Sequence, residues 1–184
     1  MSNKREQIIA TTCHLMELQG YHATGLNQIV TESGAPKGSL YHYFPDGKDE
    51  IIEEAIAHTS RMIQERLHAG MAAAESPAKA IPDFLRNLAV QVQASGFQAG
   101  GPITAVALEA ASTNERLNAA CRAAYQAWQA IIEQKLVDTG CDPIRARRLG
   151  SIIISLIEGA IILSRTERNV GPLLDAAVEL EALL

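Results

Sequence analysis

A short break at residues 34–36, Gly-Ala-Pro, constrains the fold of this chain more than any other feature. A brief helical segment from Leu26 to Ser33 precedes the break and ends at a glycine. A second segment from Lys37 to Tyr43 follows a proline, which is tolerated where a helix begins. Leu40 and Phe44 are four residues apart and therefore share one apolar face of that segment. So short a break predicts that the two helices pack directly against each other.

The rest of the sequence also predicts helices. Aromatic residues make up 4% of the chain, alanine is abundant, and there is no sustained alternation of apolar and polar residues. A first helix is expected from Lys4 to Leu18 with Gly20 just past its end, and Thr24 is expected to cap the helix that begins at Leu26. We therefore predict an all-α fold, with an N-terminal three-helix helix-turn-helix domain ahead of a larger helical domain.

The face of the third helix opposite Leu40 and Phe44 carries side chains that suit DNA. An ammonium group, hydroxyl groups and an imidazole can contact phosphates and base edges, and Gly38 leaves room for close approach of the backbone. A short helix held across a tight turn is typical of the helix-turn-helix motif, whose second helix enters the major groove. The side chains on this face are Lys37, Ser39, Tyr41, His42 and Tyr43.

Three stretches of the sequence resemble a known family. The segment TGLNQIVTESGAPKGSLYHYFPDGKDEIIEEAI resembles the DNA-binding signature of the TetR family of repressors, and GGPITAVALEAAS with the later IEGAIILSR is similar to its LmrA/YxaF-like branch. The resemblance implies a DNA-binding domain over residues 1–48 and an effector-binding and dimerisation domain over residues 49–184. It also implies a ligand-responsive homodimer that represses transcription at a palindromic double-stranded DNA operator. A small-molecule effector would release it by shifting the fourth helix.

The family pattern also implies individual DNA contacts. Tyr41 and Lys48 match positions that commonly contact phosphates, and Asn27 and Gln28 in the second helix are further candidates for phosphate contact. The positions that read or approach bases and backbone are Lys37, Gly38, Ser39, His42 and Tyr43.

Two departures from the family pattern affect these assignments. Pro36 replaces the usual serine or threonine before the lysine of the recognition helix, so the contact of that hydroxyl is lost. The Pro-Asp-Gly link between Phe44 and Lys48 is one residue longer than its commonest form. The longer link bears directly on how far Lys48 reaches toward DNA.

Apolar and aromatic side chains in the central helices are candidates for an effector pocket. For any single residue, ordinary core packing is the better explanation, so the two interpretations stay open side by side. Trp128 is the best individual candidate, because the N–H of this one tryptophan needs a partner when buried. The resemblance implies an apolar, often aromatic effector. The candidate residues are Met62, Phe84, Leu88, Phe97, Val106, Tyr125, Trp128 and Ile132.

The stretch IIISLIEGAIIL, residues 152–163, is apolar almost all round, which predicts burial on most sides. It is too short to span a bilayer and contains Glu158, so we expect no membrane association. A second subunit would cover its outer face, giving a four-helix interface with the last helix about a two-fold axis. The alternative is that both helices cap the monomer core. The expected interface residues are Ser155, Gly159, Ile162, Leu174 and Val178.

Composition and motifs also bear on other classes of function. The net charge of −5 argues weakly against a protein coated in nucleic acid, although the charge of a small DNA-binding face is a local matter. The patterns HExxH, G-x-S-x-G and the P-loop are absent, so we expect no enzyme, no cofactor and no metal site. A helical module that has lost DNA binding is a further alternative, against which the intact PKGSLYHYF argues.

Cys13, Cys121 and Cys141 are widely spaced and form no pattern of metal ligands, which fits a reducing cytoplasm. A redox sensor is conceivable among them, but inert buried thiols are the better interpretation. His42 has no partner ligands at useful spacing, which favours a DNA-facing histidine over a metal ligand. The polar start MSNKREQ lacks the apolar segment of a signal peptide.

Overall fold

The computed structural model describes residues 4–110 and 112–184, and the side chains of Lys37 and Pro102 lie outside that description. Every regular element in the described part is an α-helix, as predicted. In chain order the helices are α1 (Lys4–Ala23), α2 (Leu26–Ser33), α3 (Lys37–Tyr43), α4 (Lys48–Ala73), α5 (Pro77–Ala94), α6 (Pro102–Ala110), α7 (Glu115–Asp138), α8 (Pro143–Glu167) and α9 (Gly171–Leu183).

The described residues form two compact units. Unit one comprises the described residues up to Arg61 together with those from Pro102 to Ala124, and unit two comprises Met62–Gly101 and Tyr125–Leu184. α6 and the start of α7 therefore belong to the same unit as α1, α2 and α3, although α5 separates them in the sequence. α4 and α7 each contribute residues to both units. The predicted domain boundary at residue 48 stays a prediction.

The core of unit one forms from apolar residues at helical spacing. Leu40 and Phe44 are fully buried, which confirms the predicted apolar face of the third helix. Burial of a large apolar side chain stabilises a fold by about 1.5–3 kcal/mol, so these two residues contribute strongly to holding α3 in place. The buried cluster comprises Ile8, Ile9, Leu15, Ile29, Ala35, Leu40, Phe44 and Ile51.

Three helix ends in this unit follow local sequence signals. Gly34 ends α2 in the left-handed conformation at φ 63, which glycine adopts without strain. The side-chain oxygen of Asn114 accepts the N–H of Leu117 at 3.2 Å and so caps α7. Pro36 immediately precedes α3, where its missing N–H costs no helical hydrogen bond.

The regular helix of α1 stops at Gly20, as predicted, because this residue has the non-helical angles φ 80 and ψ −178. A short helical segment over residues 21–23 follows the kink and completes α1. A side chain is strained in this region of backbone conformation, so glycine suits it. Thr24 does not cap α2, because its buried hydroxyl donates to the Gly20 carbonyl oxygen at 2.7 Å and Gly25 occupies the cap position. A kinked turn therefore lies between the two helices.

Unit two is built around α5, α8 and α9. α5 and α9 pack extensively together, and α8 packs against both of them. Ile81 and Leu85 are buried on α5, and Leu173 and Leu180 are buried on α9. Pro82 lies inside α5, in its early part. These contacts leave α8 with one side against the core.

The apolar run of α8 is buried on one side only within the single chain. Ile153 is fully buried and Ile157 nearly so, whereas Ile152 is 53% exposed and Leu163 is 52% exposed. The expected burial on most sides therefore does not occur within the monomer, because no helix of the described chain covers the outer side. By length and composition alone α8 could cross a membrane, but core helices of soluble proteins pass the same test.

Candidate nucleic-acid interface

α3 presents an accessible polar face on unit one. Tyr41 is 62% exposed, His42 and Gly38 are also exposed, and Ser39 is half-buried, while Leu40 on the opposite side is fully buried. One surface of the helix therefore carries a phenol, an imidazole, a hydroxyl group and, at Gly38, backbone without a side chain. These are groups that contact phosphates and base edges. Their contacts with DNA stay a prediction.

Tyr43 lies at the edge of this face. Its side chain is half-buried and packs against the core of unit one, and its ring lies 5.2 Å from the ring of His42 in an edge-on arrangement. Tyr43 therefore contacts both the core of unit one and the ring of His42 at the surface. Lys37 begins α3, but its side chain lies outside the part of the chain that the structure describes.

The two candidates on α2 have different surroundings. Asn27 is exposed. Gln28 is half-buried, its Nε2 donates to Glu32 Oε1 at 2.8 Å, and its Oε1 accepts from Gln19 Nε2 at 2.9 Å. Gln28 therefore joins α2 to α1 through its amide. A phosphate contact by Gln28 would have to share these hydrogen bonds.

Lys48 begins α4 and extends back to the end of α1. Its ammonium group donates to the carbonyl oxygen of Tyr21 at 2.7 Å and to that of His22 at 3.4 Å, and it lies 4.3 Å from the centroid of the Tyr21 ring. Burial lowers the pKa of Lys48, and the charges of Asp49 and Glu109 oppose that shift. An ammonium group has three donors, so one remains for a phosphate while both carbonyl contacts persist.

A chain of hydrogen bonds joins Tyr21, in the kinked turn between α1 and α2, to the starts of α4 and α7. The hydroxyl of Tyr21 donates to Asp49 Oδ1 at 2.9 Å, and Asn114 Nδ2 donates to Asp49 Oδ2 at 2.6 Å. Both oxygens of Asp49 are therefore engaged. Burial and the hydrogen bond to Asp49 raise the pKa of Tyr21, because both favour the neutral phenol.

Glu109 on α6 reaches the turn from the other side. Its Oε2 accepts the backbone N–H of His22 at 2.8 Å, and its Oε1 lies where a Cβ atom on residue 20 would collide with it. Tyr21, Asp49 and Glu109 are distant in sequence and share no motif, so the sequence did not predict them as a group. The one local signal was Gly20, whose missing side chain is what admits the carboxylate.

Two arginines of unit one pair with carboxylates on α4. Arg5 donates to Glu54 at 2.6 Å, and Arg116 donates to Glu53 at 2.6 Å and to Asp46, just before α4, at 3.0 Å. The hydrogen bonds to these carboxylates raise the pKa of Arg116. All of these side chains are at least about one-third exposed, so each pair contributes little to stability. These ion pairs engage two positively charged side chains close to the helix-turn-helix.

The predicted effector residues are divided between the two units. Val106 belongs to unit one and is fully buried, whereas the other seven belong to unit two. Trp128 is 5% exposed and meets the half-buried Tyr125 edge-on at 5.2 Å, Ile132 is fully buried, and Met62 is 43% exposed. Their role in a pocket stays a prediction. The remaining members, all half-buried, are Phe84, Leu88 and Phe97.

The predicted interface residues share the outer side of α8 and α9. Ile162 is 46% exposed, Leu174 is 42% exposed and Val178 is 60% exposed. The hydroxyl of Ser155 donates to a carbonyl oxygen one turn earlier, and a Cβ atom on Gly159 would meet nothing within 4 Å. The apolar side of α8 also includes the exposed residues Ile152, Leu156 and Leu163.

Burial holds two of the cysteines, Cys13 and Cys121, as thiols. Burial raises the pKa of Cys121 to about 11 and also raises that of Cys13. Because the thiolate is the reactive form, both side chains have low reactivity at neutral pH, which supports their interpretation as inert. Within residues 4–110 and 112–184, no group of three His, Cys, Asp or Glu side chains is arranged to hold a metal ion.

Known proteins match the chain along most of its length. Residues 8–55 match the family described as bacterial regulatory proteins, tetR family, and residues 77–179 match the C-terminal domain of LmrA/YxaF-like transcriptional regulators. The chain is 41% identical over 182 residues to the uncharacterized HTH-type transcriptional regulator YxaF of Bacillus subtilis, with 99% of this chain and 95% of YxaF covered. It is 41% identical to the HTH-type transcriptional regulator LmrA of the same organism over 172 residues, with 94% and 92% covered.

Solved structures share the fold. A TetR transcriptional regulator from Legionella pneumophila superposes with a TM-score of 0.88 at 20% identity, covering 100% of this chain and 98% of that one. The reduced form of NemR from E. coli gives a TM-score of 0.86 at 20% identity, covering 98% and 97%. At this level of identity the likeness concerns the fold alone, and it confirms the predicted all-α architecture.

We expect Tyr21→Phe to lower the free energy of unfolding by roughly 0.5–1 kcal/mol at neutral pH, because the hydrogen bond to Asp49 is lost in a partly solvated site. Folding raises the pKa of Tyr21, so the contribution of its phenol is complete below about pH 10 and is lost as pH rises through the folded-state pKa. Urea unfolding at neutral and alkaline pH measures this difference. Tyr41→Phe is the control, and equal stabilities of wild type and Tyr21→Phe would contradict the prediction.

Proposed function

The chain belongs to the TetR family of transcriptional regulators, a family of DNA-binding proteins and not of enzymes, and we propose that it is a cytoplasmic, ligand-responsive repressor. In this proposal a homodimer binds a palindromic double-stranded operator. The observation that carries it is the division of α3 into a fully buried apolar side and an accessible polar side. A helix held so firmly by one side presents the other in a defined orientation.

In the proposed complex, α3 enters the major groove. Tyr41 and Lys48 bind phosphates, and Asn27 and Gln28 are additional phosphate contacts from α2. Phosphate contacts set the register of the protein on DNA, while base contacts supply the sequence preference. We assign approach to bases and backbone to the side of α3 that includes Lys37, Gly38, Ser39, His42 and Tyr43.

The proposed effector is a small apolar or aromatic compound that binds in unit two. Trp128 and its edge-on partner Tyr125 offer an aromatic surface there, and Ile132 is buried one turn farther along α7. α4 and α7 contribute residues to both units, so a displacement within unit two alters helices that continue into unit one. Half-sites one turn of DNA apart, about 34–36 Å, tolerate little change in the spacing of two recognition helices.

The proposed dimer forms through the exposed apolar side of α8 and α9. Ile162, Leu174 and Val178 are each more than 40% exposed in the single chain, which is unusual for a contiguous apolar side without a partner. The Ser155 hydroxyl bonds its own helix, so it would leave no unpaired polar group in an interface. A two-fold axis lets the same surface of each subunit meet its copy.

Operator binding tests the assignment of α3. We expect Tyr41→Phe combined with Lys48→Ala to weaken binding about equally for every DNA sequence, because phosphate contacts carry no base information. Loss of Lys48 is expected to reduce the slope of log affinity against log salt by about one unit. The measurement is a titration of a labelled duplex from the DNA upstream of the gene, at several salt concentrations.

Lys79→Ala serves as the matched control for Lys48, because it removes the same charge from α5 in unit two and should leave operator affinity unchanged. If the double variant binds the duplex as tightly as wild type at equal salt, this face is not the DNA-binding surface. If the wild-type protein does not bind it at all, the alternative of a module without DNA binding gains support.

Effector binding tests the sensor. We expect the fluorescence of Trp128 to change on binding of a cognate compound from a panel of planar phenolic and drug-like molecules. The same compound should weaken operator binding, and the operator should weaken binding of the compound by an equal factor, because linkage is reciprocal. Fluorescence titrations with and without operator duplex measure both factors. Tight binding of a compound without any effect on operator affinity would contradict the release mechanism for that compound.

The dimer is tested with Gly159→Leu. In the single chain a Cβ atom at this position meets nothing within 4 Å, whereas leucine in a close helix pairing causes overpacking at a cost of about 1–3 kcal/mol. We expect sedimentation to show a shift toward monomer and a parallel loss of operator affinity. Gly70→Leu, another helical glycine with open space around a Cβ atom, is the matched control. A wild-type protein that is monomeric at micromolar concentration would contradict the dimer.

A further inference from the structure

The turn between α1 and α2 is supported by side chains from outside the helix-turn-helix. This α1–α2 turn, residues 20–23, leads directly into α2, whose Ile29 lies in the same buried cluster as Leu40 of α3. Its kink at Gly20 has φ 80, so the turn cannot extend the regular hydrogen bonding of α1. Some of its backbone groups bond to neighbouring residues of the same segment, and others bond to side chains of α4 and α6. The direction in which α2 leaves α1 therefore depends in part on α4 and α6.

Glu109 is the partner for the N–H side of the turn. Its carboxylate accepts the N–H of His22 at 2.8 Å, and the absence of a side chain at Gly20 makes room for its second oxygen. A hydrogen bond from a backbone N–H to a carboxylate is stronger than one to a neutral acceptor. Glu109 lies within the match to the C-terminal domain of the family, yet the structure places it in unit one with the DNA-binding helices.

Lys48 and Asp49 are the partners for two carbonyl oxygens of the turn and for the hydroxyl of Tyr21. The ammonium group of Lys48 binds the carbonyl oxygens of Tyr21 and His22, and Asp49 accepts the hydroxyl of Tyr21. His22 is thus bonded at its N–H by an anion and at its carbonyl by a cation. The Lys48 ammonium lies close enough to Glu109 for the carboxylate to raise its pKa. The turn therefore fixes the position of Lys48 as well as the direction of α2.

We propose that Glu109 is a positioning residue for operator binding: by bonding the His22 N–H it sets the α1–α2 turn, and through the turn the placement of α2 and of Lys48. Glu109 itself does not contact DNA in this proposal, which rests on the proposed function. It gives residues 102–124, which the sequence separates from the helix-turn-helix, a direct part in operator affinity. A displacement of α6 would then alter the DNA-binding surface through the hydrogen bond between Glu109 and the His22 N–H.

Two near-isosteric substitutions separate the hydrogen bond from the charge. Glu109→Gln keeps an acceptor oxygen at the same reach but loses the charge, and Glu109→Asp keeps the charge but is one methylene too short to reach His22. We expect Glu109→Asp to lose about tenfold or more in affinity for the upstream duplex and Glu109→Gln to stay closer to wild type. The slope of log affinity against log salt should fall in Glu109→Asp by no more than the one unit expected for loss of Lys48, because a displaced turn moves Lys48 away from its proposed phosphate.

Hydrogen exchange at the His22 amide supplies a local readout, with faster exchange expected in Glu109→Asp than in wild type or Glu109→Gln. Glu115→Asp, a highly exposed glutamate on α7 of the same unit, is the control and should match wild type throughout. The proposal is overturned if Glu109→Asp binds like wild type, if Glu109→Gln is the weaker variant, or if His22 exchange is unaltered. In each case binding by the wild-type protein would leave the proposed function standing.

Discussion

The burial of Leu40 and Phe44 is the interaction on which the DNA-binding unit depends. α3 has only the seven residues Lys37–Tyr43 and no side-chain cap at its start, and isolated helices of that length are unstable in water. Its stability must come from packing, which both residues provide by complete burial in the cluster of α1, α2 and α4. The polar side of α3 is ordered as a consequence, because the helix cannot rotate without exposing these two side chains.

Local sequence signals predicted much of unit one, but they could not predict contacts between residues that are distant in sequence. The spacing of Leu40 and Phe44 predicted the buried side of α3, and Gly34 predicted the end of α2, because both signals act within a few residues. Gly20 suggested a helix end, but nothing in the sequence around it indicates that Glu109 occupies the space where a side chain would lie. Nor could the pattern that placed Lys48 toward phosphates foresee its bonds to the turn, since carbonyl partners leave no mark on the sequence.

The burial of α8 shows a second reason why the sequence could not predict the whole fold. An apolar run without periodicity predicts burial but not which side meets the chain's own core and which remains outside. The structure assigns Ile153 and Ile157 to the core and leaves Ile152 and Leu163 exposed. That assignment depends on how α5 and α9 pack against α8, and therefore on contacts between distant segments. The effector candidates give a second example. Val106 was grouped with the other apolar residues of the central helices, but it lies in unit one and the other seven lie in unit two.

The pairing of Arg5 and Arg116 with carboxylates of their own unit bears on how strongly the protein is attracted to DNA of any sequence. Attraction to random duplex DNA grows with the number of cations that can displace counterions from phosphates, and the chain as a whole carries a net charge of −5. Cations already paired with Glu54 and Glu53 add little to that attraction. We therefore expect unit one to attract duplex DNA of random sequence less strongly than its number of arginines would suggest.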